Sequence, residues 1–487
     1  MRADFKIASI VSVIALAGCT VGPKYVRPPV ATTPAYKEQP PDSFKGGATW
    51  KPAQPDDQER RGKWWEVFGD PQLNALEEQV TVSNQDLKAA EARFREARAL
   101  VRFNRAAQFP TISVGPSASF VKDSNNTPSF PTSITHSATG EFVLPFDLSY
   151  EVDLWGRVRR TVAAAREETQ ATAADVATAS LSLHAELAID YFELRSADTQ
   201  KRILDDTVKV YTDNYQLTET RFEGGASPRS DVAQAKTQLE DTRVQDTDVT
   251  VQRAAYEHAI AVLIGKPPAE FGLPFEPLDL APPTIPVGVP SDLLERRPDI
   301  AAGERRVAEA NQQIGIARAA YFPTLTLDGT AGWESTHVAS LLNGPSALWA
   351  VGLGLVETLF DAGRRRATSQ AAWANFDATT ASYRQTTLTA FQEVEDNLAA
   401  LRILEKETQQ QHDATAASED WLGVSMNRYT GGVDNYLQVI IAQSSALSNE
   451  RNDADILRRR MDASVLLIKA VGGGWNVLDL PKESSLR

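Results

Sequence analysis

Four stretches of the chain alternate apolar and polar residues with the period of two that a pleated strand imposes. In 111–121, Ile112, Val114, Pro116, Ala118 and Phe120 share one face, opposite Thr111, Ser113, Gly115, Ser117 and Ser119. In 140–153, Phe142, Leu144, Phe146, Leu148, Tyr150 and Val152 stand against Glu141, Asp147, Ser149, Glu151 and Asp153. In 324–334, Leu325, Leu327, Ala331 and Trp333 oppose Thr324, Thr326, Asp328 and Thr330, and in 347–358 Trp349, Val351, Leu353 and Leu355 oppose Ala350, Gly352 and Gly354. Segments of about ten residues with this alternation mark the strands of an outer-membrane β-barrel. A soluble sandwich shows the same period, but with nearer seven strands than four.

The rest of the chain reads largely as helix, and it reads so twice. At an offset of 207 residues, Arg221–Ser227 (RFEGGAS) meets Arg428–Asp434 (RYTGGVD), Glu186 meets Glu393, and Gly265 meets Gly472. Upstream the offset is 213, pairing RAAQFPTIS (105–113) with RAAYFPTLT (318–326). The change of offset puts a length difference between Pro110 and Gly156, which suits a loop. Each copy predicts a helical run (about 72–108, about 298–321), two strands, and a long proline-free run (about 157–222, about 364–429). A Gly-Gly turn and a second helix (about 229–264, about 433–471) complete it. A long run of that length extends roughly 100 Å at 1.5 Å per residue. Leu183, Leu187 and Leu194 recur at heptad-like spacing among small residues. Taken alone, these helices suit a soluble coiled-coil stalk equally well. The predicted organisation is repeat 1 (61–270), a proline-rich inter-repeat segment (271–297), repeat 2 (298–474) and a tail (475–487).

The strands decide against a stalk. Open sheet edges cannot sit in hydrocarbon, because each unpaired backbone group costs several kcal/mol. Four strands cannot close around a lumen either, since even eight leave a side-chain-filled interior. The chain must borrow strands from copies of itself. Three copies give twelve strands; four copies and sixteen strands stay open on this argument. The polar loop after the first strand is placed outside the cell, so both long helices are directed into the periplasm. GRVRR (156–160) and GRRR (363–366) then lie just below the barrel, as solvated helix starts or as contacts to inner-leaflet headgroups.

Charge and the N-terminus narrow the setting. The net charge of −14 argues against nucleic acid as a partner. Arg2 and Lys6 precede an apolar run, Ile7–Ala17, that is too short to cross a bilayer and reads as a secretory signal over 1–18. Its end, LAGC, resembles the bacterial lipoprotein box, with lipid on Cys19; an ordinary signal cut near Ala17 is the alternative. Cys19 is the only cysteine in the chain, which leaves no internal disulfide. A proline-rich linker (19–60) follows, and its composition is that of an extended segment.

Several motifs in order carry a family resemblance. CTVGPKYVRPPV, WWEVFGDPQLNAL, LSYEVDLWGR, LLERRPDIAAGERRVAEANQQIGIARAAYFP, LFDAGRRRA and RYTGGVDNYLQVIIAQ resemble the outer-membrane factors of tripartite efflux pumps. The resemblance is strongest to the NodT/OprM-like lipoprotein branch of the TolC superfamily, and it runs from Cys19 to about Gly474. It implies a homotrimer with a 12-stranded β-barrel, a long α-helical barrel and an equatorial belt. It also implies a periplasmic adaptor and an inner-membrane pump of the RND type as partners. The outer-membrane component would conduct drugs, toxic compounds or metal ions passively and would not be an enzyme.

The residues agree. His136, His184, His258, His337 and His412 are scattered without metal-ligand spacing, and VGLGLVE lacks the third glycine of a nucleotide loop. No cofactor is expected beyond the covalent lipid on Cys19. The resemblance makes the two Gly-Gly turns the adaptor-facing tips, with Arg221, Phe222, Gly224, Gly225, Arg428, Tyr429, Gly431 and Gly432 as the tip residues. A plain helical hairpin explains the glycines equally well, by supplying left-handed backbone. Many family members carry Asp-Ala-Gln after the second tip, where this chain has Ile441-Ala442-Gln443. A carboxylate ring is therefore absent there, and Asp434, Leu437 and Ile441 are the gate candidates. Leu437 and Ile441 lie one helical turn apart and suit an apolar constriction, or simply helix packing. Two other functions remain: the outer-membrane duct of a type I protein secretion system, and a non-channel coiled-coil lipoprotein.

Overall fold

The protein is described from a computed structural model that covers residues 20–30, 33–41, 62–122, 138–285 and 292–486. Cys19 and His136 lie outside the described residues. Helices dominate: α1 (Pro71–Ser83), α2 (Gln85–Ala106), α3 (Arg157–Glu223), α4 (Arg229–Leu263), α5 (Pro298–Ala319), α6 (Arg364–Thr430) and α7 (Tyr436–Ala470). Strands β1 (Thr111–Val114), β2 (Ser117–Val121), β3 (Thr139–Val152), β4 (Thr324–Ser335) and β5 (Ala347–Val356) form one antiparallel sheet. The helices α3 and α6 are each 67 residues long, and α4 and α7 are each 35.

The strand alternation fixes the register. β3 lies between β1/β2 and β4, with β5 outermost. Leu144 faces Trp333, Phe146 faces Ala331 and Tyr150 faces Leu327, while Leu327 in turn faces Leu353. The opposite side of the sheet carries a polar ladder. Thr330 Oγ1 donates to Asp147 Oδ1 (2.6 Å), and Ser149 Oγ donates to Asp328 Oδ1 (2.9 Å). The apolar face is uncovered in the single chain: Trp349, Val351, Leu353 and Ile112 are all exposed. β1/β2 and β5 are the two edges, and each has a strand on one side only.

Two elements differ from the periodicity reading. The first strand breaks at Gly115–Pro116, because Pro116 has no N–H to give the ladder. Its register does not slip, since Val114 faces Phe146 and Ser117 faces Val143. The helical run predicted over about 72–108 is two helices that meet at Asn84. Asn84 is buried and non-helical (ψ 130°); its Oδ1 accepts from Leu87 N (2.9 Å) while its Nδ2 donates to Leu263 O (2.9 Å). An asparagine at this corner caps one helix and ties it to the end of another.

The main core sits near the middle of the long helices. Trp64, Trp65 and Phe68 pack with Leu73 and Val80 of α1 against Leu183, Leu187 and Leu194 of α3, together with Ile300, Val394 and Val465. Arginines clamp the extended segments that cross this belt. Arg195 donates to Pro274 O (2.8 Å) and Gln72 Oε1 (2.5 Å), and its guanidinium covers the Tyr191 ring. At Arg402 the bond goes to Glu38 of the N-terminal segment (2.5 Å). That segment begins at the sheet, where Val21 N donates to Trp155 O (3.1 Å). It reaches the belt where the backbone N–H groups of Lys37 and Glu38 donate to Glu395 (2.7 and 2.8 Å).

One core pair carries a titration. Glu77 Oε2 lies 2.5 Å from His184 Nδ1, both side chains are buried, and His184 stacks on Trp65 at 4.4 Å. Burial pushes the Glu77 carboxyl up to about 9 and the His184 imidazole down to about 4, so both are neutral at pH 7. A carboxyl whose folded value is raised holds its proton while the unfolded chain loses it, so stability falls as pH rises through the window between about 4.5 and 9. Glu77→Gln keeps a donor to His184 and removes that titration. Its melting temperature relative to the parent should rise by at least about 2 °C between pH 5 and pH 8, as read by circular dichroism of the detergent-solubilised protein. A constant difference across that range would show that the Glu77 carboxyl does not titrate there and would contradict its raised value.

Candidate channel entrance at the paired helix tips

Both Gly-Gly turns close with one bond pattern. Arg221 O accepts from Ala226 N (2.7 Å) and Ser227 N (3.2 Å), and Arg428 O accepts from Val433 N (2.9 Å) and Asp434 N (3.4 Å). The second glycine of each pair, Gly225 and Gly432, has φ of +72° and +73°. A Cβ there would meet nothing within 4 Å, so the backbone angle and not crowding calls for glycine. Gly224 and Gly431 keep right-handed angles and end the helices.

The two tips, far apart in sequence, are side by side. Arg221 Nη1 donates to Thr430 O (3.0 Å), and its guanidinium lies 4.8 Å over the Tyr429 ring. Ser227 Oγ lies 3.2 Å from the Tyr429 hydroxyl, and Tyr429 meets Tyr436 edge to face at 5.1 Å. Tyr429 is therefore 2% exposed, in a small core with Ala235, Tyr436 and Val439. It joins the hairpins and leaves the outer surface to Phe222 (42% exposed), Arg428 and the glycines. Tyr436, Ser227 and Thr430 fall inside the quoted motifs but are not among the expected tip residues. An aromatic two residues beyond the second tip was the available signal for Tyr436.

The gate candidates divide. Asp434 Oδ2 accepts from Arg428 Nε at 2.5 Å; this bond holds the Asp434 carboxyl below its usual range and raises the Arg428 guanidinium. The pair is in solvent and contributes little to stability. Leu437 and Ile441 are half-exposed on one side of α7, whereas Tyr436, Val439 and Ala442 on its other sides are buried. A single chain thus leaves an apolar stripe uncovered next to the tip. Among the described residues no group of His, Cys, Asp and Glu could hold a metal ion, and no helix is long and apolar enough to cross a membrane.

The arrangement has known counterparts. A family model described as outer membrane efflux protein matches residues 76–266 and 289–473. The probable efflux pump outer membrane protein SepC of Pseudomonas putida is 33% identical over 475 residues, covering 96% of each chain. The solved outer-membrane channel OprN is 31% identical, with a TM-score of 0.84 over 94% of this chain and 100% of that one. The CmeC outer membrane channel of Campylobacter jejuni is 25% identical, with a TM-score of 0.86 over 94% and 96%. The chain belongs to the outer membrane efflux protein family, the channels through which efflux pumps discharge across the outer membrane.

Proposed function

We propose that the efflux channel formed by this chain is a homotrimer whose twelve strands close one β-barrel, continued by a helical barrel into the periplasm. The observation that carries this reading is the sheet itself, with two unpaired edges and an exposed apolar face. Each edge needs a partner strand in hydrocarbon, and the opposite edge of a second copy supplies one. The equal lengths of α3 and α6, and of α4 and α7, support two copies of one unit per chain. A trimer then presents six tips.

The tips are the proposed docking points for a periplasmic adaptor, with an inner-membrane pump of the RND type supplying the energy. Phe222, Arg428 and the Gly-Gly backbones offer the surface, and Arg221 and Tyr429 hold its two halves together. The duct itself passes drugs, toxic compounds or metal ions passively and leaves selection to the pump.

Lipid on Cys19 would anchor the chain at the barrel. Thr20, the next residue, packs against Gly156 between the end of β3 and the start of α3, so the anchor would sit at the membrane rim. Radiolabelled palmitate fed to growing cells should label the parent, and the Cys19→Ser variant should carry none. Label retained by the variant would contradict the assignment.

The uncovered stripe of Leu437 and Ile441 is the proposed resting gate. Rings of these residues around a narrow lumen would exclude water and ions. The double variant Leu437→Ser with Ile441→Ser should raise single-channel conductance in planar bilayers several-fold and admit a large antibiotic into cells. Unchanged conductance in an assembled channel would leave the two residues as helix packing only.

A further inference from the structure

The two long helices leave the sheet from one rim. β3 ends at Val152 and α3 begins at Arg157; β5 ends at Val356 and α6 begins at Arg364. The register pairs Val152 with Leu325 and Thr324 with Val356, so these ends are level. Both helices start after a glycine in left-handed conformation, Gly156 or Gly363, and both start with arginines.

In the first case the arginines are neutralised from the strand above. Arg157 grips Glu151 through two bonds, one of them Nε to Oε1 at 2.8 Å. Arg159 Nε donates to Asp153 Oδ2 (3.2 Å), and Asp153 also accepts from the N–H groups of Val158 and Arg159. At the offset of 207 residues, Arg364 and Arg366 replace Arg157 and Arg159, but Thr358 and Phe360 stand where Glu151 and Asp153 were. The one acid that caps α6, Asp361, is taken by Arg365 (Nε to Oδ2, 2.7 Å). Arg364 and Arg366 are exposed and form no side-chain hydrogen bond or ion pair among the described residues. Glu357, the remaining acid between β5 and α6, pairs with neither.

Two guanidinium groups in the first turn of a helix oppose its dipole, so they do not serve the helix. Leu359 (90% exposed) and Phe360 (86% exposed) precede them with three residues or more between, in the stretch from the end of β5 to the start of α6. An apolar and aromatic band followed by unpaired cations is the profile of a membrane boundary. On the trimer reading proposed above, the helix beside α6 is α2 of the next copy, whose rim end carries Arg102 and Arg105 and no acid beyond Glu96.

We infer that Arg364 and Arg366, with Leu359 and Phe360, form a docking surface for the anionic headgroups of phospholipids at the periplasmic rim of the barrel. The planar guanidinium suits bidentate bonding to a phosphate, and the apolar pair covers the glycerol and upper acyl chain. The first copy of the motif, with its arginines already paired to Glu151 and Asp153, lacks this capacity.

Native mass spectrometry of the detergent-solubilised protein, titrated with phosphatidylglycerol or phosphatidylcholine, tests the surface and reports the assembly state in one spectrum. The parent should hold phosphatidylglycerol more tightly than phosphatidylcholine. Arg364→Gln with Arg366→Gln should weaken phosphatidylglycerol binding roughly tenfold or more at unchanged oligomeric mass. Arg93→Gln with Arg229→Gln, which removes the same charge from exposed positions elsewhere, should bind as the parent does. Should the first variant fail to assemble, Arg364→Lys with Arg366→Lys keeps the charge and loses the fork, and an intermediate affinity supports the surface. Equal phosphatidylglycerol binding by the parent and either Arg364/Arg366 variant would overturn it, as would displacement of the lipid by inorganic phosphate at equal concentration. An altered oligomeric mass with lipid affinity intact would count against the trimer and not against this surface.

Discussion

The backbone N–H and C=O groups along the free sides of β1/β2 and β5 govern the rest of the molecule. In water such edges would be hydrated, but in hydrocarbon each unmet group costs several kcal/mol. Trp349, Val351 and Leu353 expose an apolar face on the edge strand β5, which the proposed barrel turns outward into hydrocarbon, while Asp147, Ser149, Asp328 and Thr330 line the other side with polar groups that bond to one another. In the trimer proposed here, those edges close on the equivalent edges of other copies. In that arrangement the helices would share the closure, since α3 and α6 leave the same rim of the sheet.

Below the rim the chain is held in two places, and they differ in kind. The belt around Trp65, Leu187 and Val465 is apolar and clamped by buried arginines such as Arg195, and it fixes the helices where segments from distant parts of the sequence cross. The tips are held by few and mostly exposed bonds: Arg221 to Thr430 O, Ser227 to Tyr429, and Arg428 to Asp434. A rigid belt and a lightly tied tip suit the proposed duct, whose inner end would change when an adaptor docks, because low-cost local rearrangement belongs where few buried contacts are lost.

What could be read from the sequence is what depends on neighbours along the chain. The strand faces were legible because period-two alternation is local, and the tips because a left-handed residue between two long helices calls for glycine, as at Gly225 and Gly432. The corner at Asn84 was missed because the helical pattern continues on both sides of it; Ser83-Asn84-Gln85-Asp86 held the capping signal. The burial of Tyr429 was not legible, since it needs Arg221 and Ser227 from the other hairpin, about two hundred residues away. The Glu77–His184 pair was hidden for the same reason. The contrast between Arg157/Arg159 and Arg364/Arg366 lay in the sequence at the 207-residue offset. It acquired meaning once Glu151 and Asp153 proved to be their partners.

Disulfide trapping between sheet edges tests closure most directly. With Cys19 the only native cysteine and assigned to lipid, Ser113→Cys on β1 can be combined in turn with a cysteine at each β5 position from 349 to 355. Closure of the sheet by three copies requires that at least one combination link chains into a ladder that ends at three chains on a denaturing gel, in membranes before extraction. A ladder continuing to four chains, or no link between chains at any of these positions, would contradict it.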